Sequence, residues 1–295
     1  MTMLRHYITQ AEDGSTVRDI LTNRFHISTS LRKQLKRRIG SLLLNGQTAT
    51  VSYTVRCGDL LEVDISDHAP MHPIPPVNFP LDILWEDEYL LVINKPAGIV
   101  VHGAELTEET ITIAGAVAHY LQSPCFHAVN RLDRGTTGAM VVAKSGYLHE
   151  RCMELLHTNS FYREYRAICE GVPSPTAGTI TLPIGRDETS LLRRCILEDG
   201  AEAITEYEVL QTVGSRTLLR LLPHTGRTHQ LRVHMAAIGH PLTGDWLYGT
   251  EDHSLIARPA LHSYILRLTH PVTDEALEIT APLAMDMQRL LEVAP

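Results

Sequence analysis

Residues 130–138 combine side chains capable of acid–base or nucleophilic chemistry with the backbone freedom that a reactive site needs. They read Asn-Arg-Leu-Asp-Arg-Gly-Thr-Thr-Gly, so that Asp133 stands between Arg131 and Arg134 and two glycines follow. Nearby cations favour the ionised form of a carboxylate, and glycine lets the backbone approach a ligand closely. The stretch is therefore either a loop that presents a reactive carboxylate or an exposed ion pair worth about 0 to 1 kcal/mol.

Four further segments carry polar groups that could work with such a carboxylate. They are Asn-Lys-Pro-Ala-Gly-Ile-Val-Val-His at 94–102, Arg-Glu-Tyr-Arg-Ala at 163–167, Thr-Gly-Arg-Thr-His-Gln-Leu-Arg-Val-His at 225–234 and Gly-Asp-Trp-Leu-Tyr-Gly at 244–249. Taken singly, each has an ordinary structural interpretation. Tyr165 fits a packed core tyrosine, Arg227 and Arg232 fit ion-pair partners, and we interpret Asp245 as a structural turn residue.

Together and in this order, the five segments resemble the RluA/RluD family of pseudouridine synthases, which act on large-subunit ribosomal RNA and transfer RNA. The resemblance spans residues 81–284. It implies an α+β fold with a mixed, mainly antiparallel sheet, and an enzyme that isomerises uridine to pseudouridine in ribosomal or transfer RNA. It also implies a target nucleotide that is flipped out of its helix, because the reacting atoms are blocked inside one.

The resemblance assigns roles position by position. The family's catalytic aspartate falls on Asp133, its active-site tyrosine on Tyr165 and its active-site arginine on Arg232. Arg131 matches the side chain implicated in holding the target nucleotide out of its stack, and Leu231 is expected to form a wall of the uracil pocket.

These residue types suit the reaction, which breaks the bond between ribose and a uracil nitrogen, turns the base and rejoins it through a ring carbon. A carboxylate can act there as nucleophile or as base. An arginine opposite Asp133 would keep it ionised and oriented. The ring of Tyr165 could stack on uracil while its hydroxyl takes part in proton transfer. With Arg227 as a further RNA contact, these residues form the predicted site.

Three positions depart from the family pattern. Asn130 stands where histidine usually precedes Arg-Leu-Asp, Thr137 where serine is common, and Arg163 where lysine usually lies two residues before the tyrosine. None of these departures removes a group with an assigned role. They do leave open which RNA substrate the protein selects.

A basic patch near the start of the chain contrasts with the acidic remainder. The net charge is −8, yet residues 24–38 hold six cations and no acid, which leaves 20 cations against 34 carboxylates, or −14, elsewhere. Ser15 or Thr16 can cap a first short helix, and Ser28, Thr29 and Ser30 offer capping oxygens for a second. Along the second helix, Leu31, Leu35 and Ile39 form an apolar stripe that Gly40 ends. The opposite side of the second helix carries Arg32, Lys33, Lys36 and Arg37.

Residues 15–65 resemble the αL-motif RNA-binding module, a familiar attachment in the same family. Asn45–Gly46 predicts a hairpin and residues 60–65 alternate weakly like a strand. Five of the sixteen prolines lie between residues 66 and 80, which predicts an extended linker. We therefore expect a small α+β RNA-binding domain at 1–68, a linker at 69–80 and a catalytic domain at 81–295.

Hydrophobic patterning places the remaining elements. Further strands are predicted at 90–94 with a continuation at 99–102, and at 165–168, 204–210, 218–222 and 264–268, with helices at 110–122 and 145–158.

The sequence also narrows the class of protein. No glycine-rich phosphate loop appears, and His224, His229 and His234 lack metal-ligand spacing, so we expect neither cofactor nor metal. The five scattered cysteines indicate free thiols, and no apolar run approaches a membrane span.

We expect a cytoplasmic monomer that binds RNA, with ribosomal RNA expected ahead of transfer RNA. Two alternatives stay open: an RNA-docking factor on an inactive synthase scaffold and, more distantly, a metal-dependent nuclease.

Overall fold

A four-stranded, a ten-stranded and a two-stranded β-sheet form the framework of the computed structural model, which describes residues 2–67, 72–103, 111–156 and 161–292. The strands are β1 (Met3–Tyr7), β2 (Leu42–Leu44), β3 (Gln47–Thr48), β4 (Leu60–Asp64), β5 (Ile83–Glu86), β6 (Leu90–Lys95), β7 (His127–Ala128), β8 (Thr137–Ala143), β9 (Phe161–Glu170), β10 (Ala177–Ile180), β11 (Ile184–Arg186), β12 (Arg194–Ile196), β13 (Thr205–Val213), β14 (Arg216–Pro223), β15 (Leu261–Thr269) and β16 (Ala276–Thr280).

The helices are short. They are α1 (Val17–Asp19), which continues as a π-helical turn over Ile20–Arg24, α2 (Thr29–Arg37), α3 (Ile113–Leu121), α4 (Gly146–Leu156), α5 (Gln230–Ala237) and α6 (Met285–Glu292), with a 3₁₀ turn at Gln10–Glu12. Within the described ranges, no helix has both the length and the apolar character that crossing a bilayer requires.

The smaller, four-stranded sheet has the antiparallel order β1-β4-β2-β3. Its β2–β3 turn confirms the predicted hairpin, because Asn45 and Gly46 both take positive φ, 54° and 76°, which a tight two-residue turn requires. Of the capping residues that the sequence offers, the structure uses Thr16 and Ser28. The Thr16 side chain accepts from the Asp19 N–H, and the Ser28 side chain accepts from the Leu31 N–H.

The predicted apolar stripe on α2 is wrong at its last position. Leu35 is buried, but Ile39 is 98% exposed, because the helix ends at Arg37 and Arg38 has extended backbone. Ser41 explains the early end: its hydroxyl lies within hydrogen-bonding distance of the Leu35 and Arg38 carbonyls, at 2.6 and 2.9 Å, which satisfies acceptors that another helical turn would have used.

The larger sheet has ten strands in the order β10-β13-β14-β9-β15-β8-β6-β5, with β16 pairing with β15 and β7 with β8. Its pairs are antiparallel except for β15 and β8, which are parallel. This confirms the expected α+β fold with a mixed, mainly antiparallel sheet.

The predicted continuation of β6 over residues 99–102 is wrong. Gly98 has a φ of 81° and its N–H donates to the Arg134 carbonyl, so the chain turns out of the sheet toward the loop that carries Asp133. Among the described residues 99–102, the pairing is limited to an isolated bridge between Val100 and Thr112.

The four-stranded and ten-stranded sheets share hydrophobic core. Alternate residues of β6 point to opposite faces, so Leu91 and Ile93 pack with α3 and α5 whereas Leu90 and Val92 pack with α4. The Leu90 face also receives Leu4, Leu21 and other residues of the smaller sheet and its helices. Tyr147 on α4 donates a 2.6 Å hydrogen bond to the Phe25 carbonyl across the same boundary.

Lys95, the last residue of β6, joins this core to the 130–138 loop. Its side chain is completely buried, and its ammonium donates to the carbonyls of Pro96, Arg134 and Thr136 at 2.8, 3.2 and 3.0 Å. Burial lowers the pKa of Lys95 to about 8, although the nearby Asp133 carboxylate acts in the opposite direction. The ammonium therefore fixes the loop on either side of residue 135.

Replacing Lys95 with methionine should destabilise the fold by about 3 kcal/mol, because the carbonyls of the loop lose their donor inside the protein. Urea unfolding followed by circular dichroism measures the change. The matched control is Lys33→Met, the same substitution on the exposed side of α2, which should change stability by no more than about 0.5 kcal/mol. Equal stability of the two variants would contradict the role given to Lys95.

Candidate active site

The six site residues predicted between positions 131 and 232 line a cleft of about 880 Å³. Its lining includes Arg131, Asp133, Tyr165, Arg227, Leu231 and Arg232. The residues come from three places: the loop between β7 and β8, strand β9, and the segment that leads from β14 into α5. Tertiary structure thus brings together groups separated by up to about a hundred positions in sequence.

Asp133 lies in the cleft with two basic side chains near the same carboxylate oxygen. Arg232 Nη1 is 3.8 Å and His229 Nε2 is 3.9 Å from its Oδ2, and the aspartate side chain is 32% exposed. Among the described residues, Arg131 forms no ion pair with Asp133 and its side chain is exposed instead. The carboxylate is therefore flanked by groups that are distant in sequence, and it remains accessible to a ligand.

A buried ion pair fixes Arg232. Its Nε and Nη2 each contact one oxygen of Asp245 at 2.7 Å, and both side chains are almost fully buried. Burial would by itself lower the pKa of Arg232, but the paired Asp245 carboxylate outweighs it and raises that pKa. Asp245 also accepts from the N–H groups of Leu247 and Tyr248, which agrees with its interpretation as a turn residue. The same side chain therefore stabilises the turn and holds Arg232 in place.

Tyr165 and Leu231 form part of the apolar lining of the cleft, and both are buried. Burial raises the pKa of Tyr165, and the Asp133 carboxylate contributes in the same direction, while Arg163 opposes them. At neutral pH the phenol therefore keeps its proton and can donate a hydrogen bond. An aromatic ring and a leucine side chain beside a carboxylate suit a flat, partly polar ligand.

The loop that carries Asp133 is closed by Asn130 and Gly138. The Asn130 side chain accepts from the Val141 N–H at 2.8 Å and contacts the Ala139 carbonyl at 3.4 Å, so it ties the loop to β8. Gly138 has a φ of 107°, and a Cβ there would lie 2.2 Å from the Ser263 carbonyl oxygen of β15. Asparagine at position 130 thus supports the loop from behind and does not pair with the carboxylate.

Two residues of the site carry no role in the sequence interpretation. His229 contacts Asp133, and Tyr248 places its hydroxyl 2.9 Å from His229 Nδ1. Both lie inside quoted segments, 225–234 and 244–249, but no local spacing relates a histidine before a helix to a tyrosine 19 residues later. Arg227 is exposed at the rim, where its Nε donates to the Glu202 carbonyl at 2.9 Å.

The four predicted cations of α2 do not line this cleft. Lys33, Lys36 and Arg37 lie at the surface, whereas Arg32 is half-buried and donates to the hydroxyls of Thr22 and Thr29. The three surface cations are thus available to a partner in solution, and Arg32 is engaged within the fold.

One group of side chains has the donor set of a metal site. Single ligand atoms of Asp67, Cys125 and His127 lie within 4.8 Å of one another. None of the three lines the cleft, and His127 Nε2 is already 2.6 Å from an Asp67 oxygen, a hydrogen-bonding distance. The contact between His127 and Asp67 holds residue 67 against β7.

Residues 89–237 match a family model described as RNA pseudouridylate synthase. The chain is 38% identical over 270 residues to an uncharacterized RNA pseudouridine synthase, YjbO, of Bacillus subtilis, covering 90% of this chain and 95% of that protein. It is 39% identical over 235 residues to ribosomal large subunit pseudouridine synthase D of Escherichia coli, covering 74% of this chain and 72% of the relative.

Among solved structures, the human RNA pseudouridylate synthase domain containing 1 protein superposes with a TM-score of 0.59 at 28% identity, covering 70% of this chain and 85% of that one. The matched segment of the family model contains the loop with Asp133, strand β9 with Tyr165 and helix α5 with Arg232. With matches of this identity and coverage, the chain belongs to the RNA pseudouridine synthase family, whose members isomerise uridine to pseudouridine in RNA.

Proposed function

We propose that Asp133 is the catalytic carboxylate and that the cleft receives a uridine flipped out of its RNA helix. The observation that carries this proposal is the position of the carboxylate: it is partly exposed in the cleft, with Arg232 Nη1 3.8 Å away and Tyr165 in the same lining. A carboxylate flanked by a fixed cation and a protonated phenol has the groups needed for attack or proton transfer at the nucleoside.

Each partner of Asp133 then has a distinct part. Arg232, held by Asp245, places its positive charge beside the carboxylate without closing over it, because two of its nitrogens are committed to Asp245 and Nη1 lies toward Asp133. Tyr165 offers its ring for stacking and its hydroxyl for hydrogen bonding, and Leu231 forms the apolar wall. Exposed Arg131 and Arg227 lie at the rim, where RNA backbone would pass.

Residues 1–68 would serve as the RNA-docking module, joined through residues 69–80 to the catalytic region. The surface cations of α2, in a segment with no acidic residue, support a contact with phosphate. Large-subunit ribosomal RNA is the proposed substrate class, since the Escherichia coli relative is named for the ribosomal large subunit, and transfer RNA is the second. A cytoplasmic monomer stays a prediction.

Asp133→Asn tests the catalytic assignment, because the amide can neither attack nor accept a proton as the carboxylate does. We expect pseudouridine formation to fall by at least about a thousandfold, while RNA binding changes little. The measurement uses unmodified transcripts of large-subunit ribosomal RNA and of transfer RNAs, with pseudouridine mapped after incubation with each protein. The same mapping in cells with and without the gene identifies the RNA.

The matched control is Asp274→Asn, the same change at an exposed turn before β16, which should leave the rate unaltered. Identical pseudouridine levels with wild type and Asp133→Asn would reject the assignment. Undiminished cellular function of Asp133→Asn, together with intact RNA binding, would favour the RNA-docking alternative.

Replacing Lys33, Lys36 and Arg37 together with alanine tests the docking module. We expect a raised KM for RNA with kcat at saturation retained, since the three side chains would bind phosphate and not the uridine. The slope of log affinity against log salt should become shallower by about 0.7 to 0.9 for each phosphate that the variant no longer neutralises.

A charge-matched control replaces the surface cations Arg56, Arg267 and Arg289 with alanine. If both triple variants weaken binding equally, general charge and not the α2 surface is responsible. Filter binding at several salt concentrations distinguishes the two outcomes.

A further inference from the structure

His229 has a backbone conformation that its residue type rarely adopts. It stands immediately before α5 with φ of 58° and ψ of 16°, in the left-handed region that favours glycine. Its carbonyl accepts the first bond of the helix from Val233, so the strained residue is built into the helix start. Strained residues cluster at functional sites, and this conformation directs the imidazole into the cleft.

The hydrogen bonds of Tyr248 favour one tautomer of His229. The Arg194 N–H donates to Tyr248 Oη at 2.9 Å, and the same oxygen lies 2.9 Å from His229 Nδ1. Burial raises the pKa of Tyr248, so the phenol keeps its single proton. With one lone pair taken by Arg194, the hydroxyl can donate that proton to Nδ1. Nδ1 is then the acceptor, and Nε2 carries the hydrogen.

The surroundings of Nε2 favour the same tautomer. It faces Asp133 Oδ2 at 3.9 Å, where a lone pair would be repelled by the carboxylate and an N–H would be attracted. Burial lowers the pKa of His229; Arg232 and Arg194 lower it further, while Asp133 and Asp245 oppose them. The imidazole is therefore neutral at about pH 7, with one acceptor toward Tyr248 and one donor toward Asp133.

We propose that His229 is a positioning residue for Asp133, holding a neutral Nε2–H toward Oδ2 through the relay from the Arg194 amide and the Tyr248 hydroxyl. This proposal rests on the catalytic role proposed for Asp133. Arg232 approaches the same oxygen, so the two donors together orient the carboxylate through Oδ2 and leave Oδ1 to the reaction. The present separations exceed a hydrogen bond, and they should shorten when uridine fills the cleft.

The tautomer can be measured without any substrate. Two-bond ¹H–¹⁵N spectra of the imidazoles, with the His229 signals assigned by their loss in His229→Gln, distinguish the two neutral forms and the imidazolium. We expect the Nε2–H form at about pH 7 in the wild-type protein and a mixture of neutral forms in Tyr248→Phe. An Nδ1–H form or an imidazolium at that pH would overturn the proposal.

Kinetics then test the effect on Asp133, using the transcript that the wild-type protein modifies fastest. Tyr248→Phe should lower kcat by about tenfold, the loss expected for one hydrogen bond acting in the transition state, with KM within about twofold of wild type. The matched control is Tyr207→Phe, which removes a hydroxyl that donates to the Pro175 carbonyl outside the cleft. Its kcat should not change.

Substitutions at residue 229 separate the hydrogen bond from the backbone strain. His229→Gly suits the positive φ, so it should be at least as stable as wild type and yet lose about tenfold or more in kcat. His229→Gln places an amide N–H near the Nε2 position and should retain more kcat than His229→Asn, whose shorter amide reaches only the Nδ1 position. Full activity of His229→Gly, or equal losses in the glutamine and asparagine variants, would reject the positioning role.

A failure of the positioning role of His229 can be distinguished from a failure of the catalytic role of Asp133. If the wild-type protein modifies no transcript, the catalytic assignment of Asp133 fails, while the spectra still report the tautomer. If the wild type is active and Asp133→Asn is not, but Tyr248→Phe and His229→Gly both match wild type, the positioning role alone fails.

Discussion

The site depends first on a single buried ammonium group. Lys95 has no access to water, and a buried charge is tolerated only when its hydrogen-bonding capacity is satisfied. Its three acceptors are backbone carbonyls, two of them in the loop behind Asp133, so the loop has to converge on the end of β6. The Gly98 N–H, which donates to the Arg134 carbonyl, fastens the same loop from the neighbouring turn. Backbone geometry thereby sets where the side chains of the loop can enter the cleft.

A second buried charge orients the groups around the carboxylate. The Arg232–Asp245 pair lies in the interior, where desolvation of the two charges offsets much of their attraction, so the pair adds little net stability. Its main effect is to fix the orientation of the Arg232 guanidinium. With two nitrogens committed, Arg232 can offer Asp133 only Nη1. The ring of Tyr248 stacks at 5.0 Å on the same guanidinium while its hydroxyl contacts His229, so both neighbours of Asp133 are supported by the 244–249 segment.

The cleft and the basic helix belong to one packed unit in the described part of the chain. Residues of the small sheet, its helices, α4 and strands β6 and β8 share a hydrophobic cluster, and Tyr147 crosses the boundary to the Phe25 carbonyl. Burying apolar surface contributes about 25 cal/mol per Å², so a shared cluster limits motion between the parts. An RNA that contacts both α2 and the cleft would meet surfaces with a defined relative placement.

The sequence by itself determined the family, the mixed sheet, two groups of candidate helix caps and the Asn45–Gly46 turn, because each follows from local residue types or from ordered motifs. It also named Asp133, Tyr165, Leu231 and Arg232, which line the cleft, but it assigned no role to His229 or Tyr248. Only tertiary structure decided how they meet: that Ile39 lies in solvent because Ser41 ends α2, that residues 99–102 leave the sheet, and that Asp245 holds Arg232. The partners of Asp133 come from segments about a hundred residues away, and a contact at that separation has no periodicity that a linear pattern could reveal.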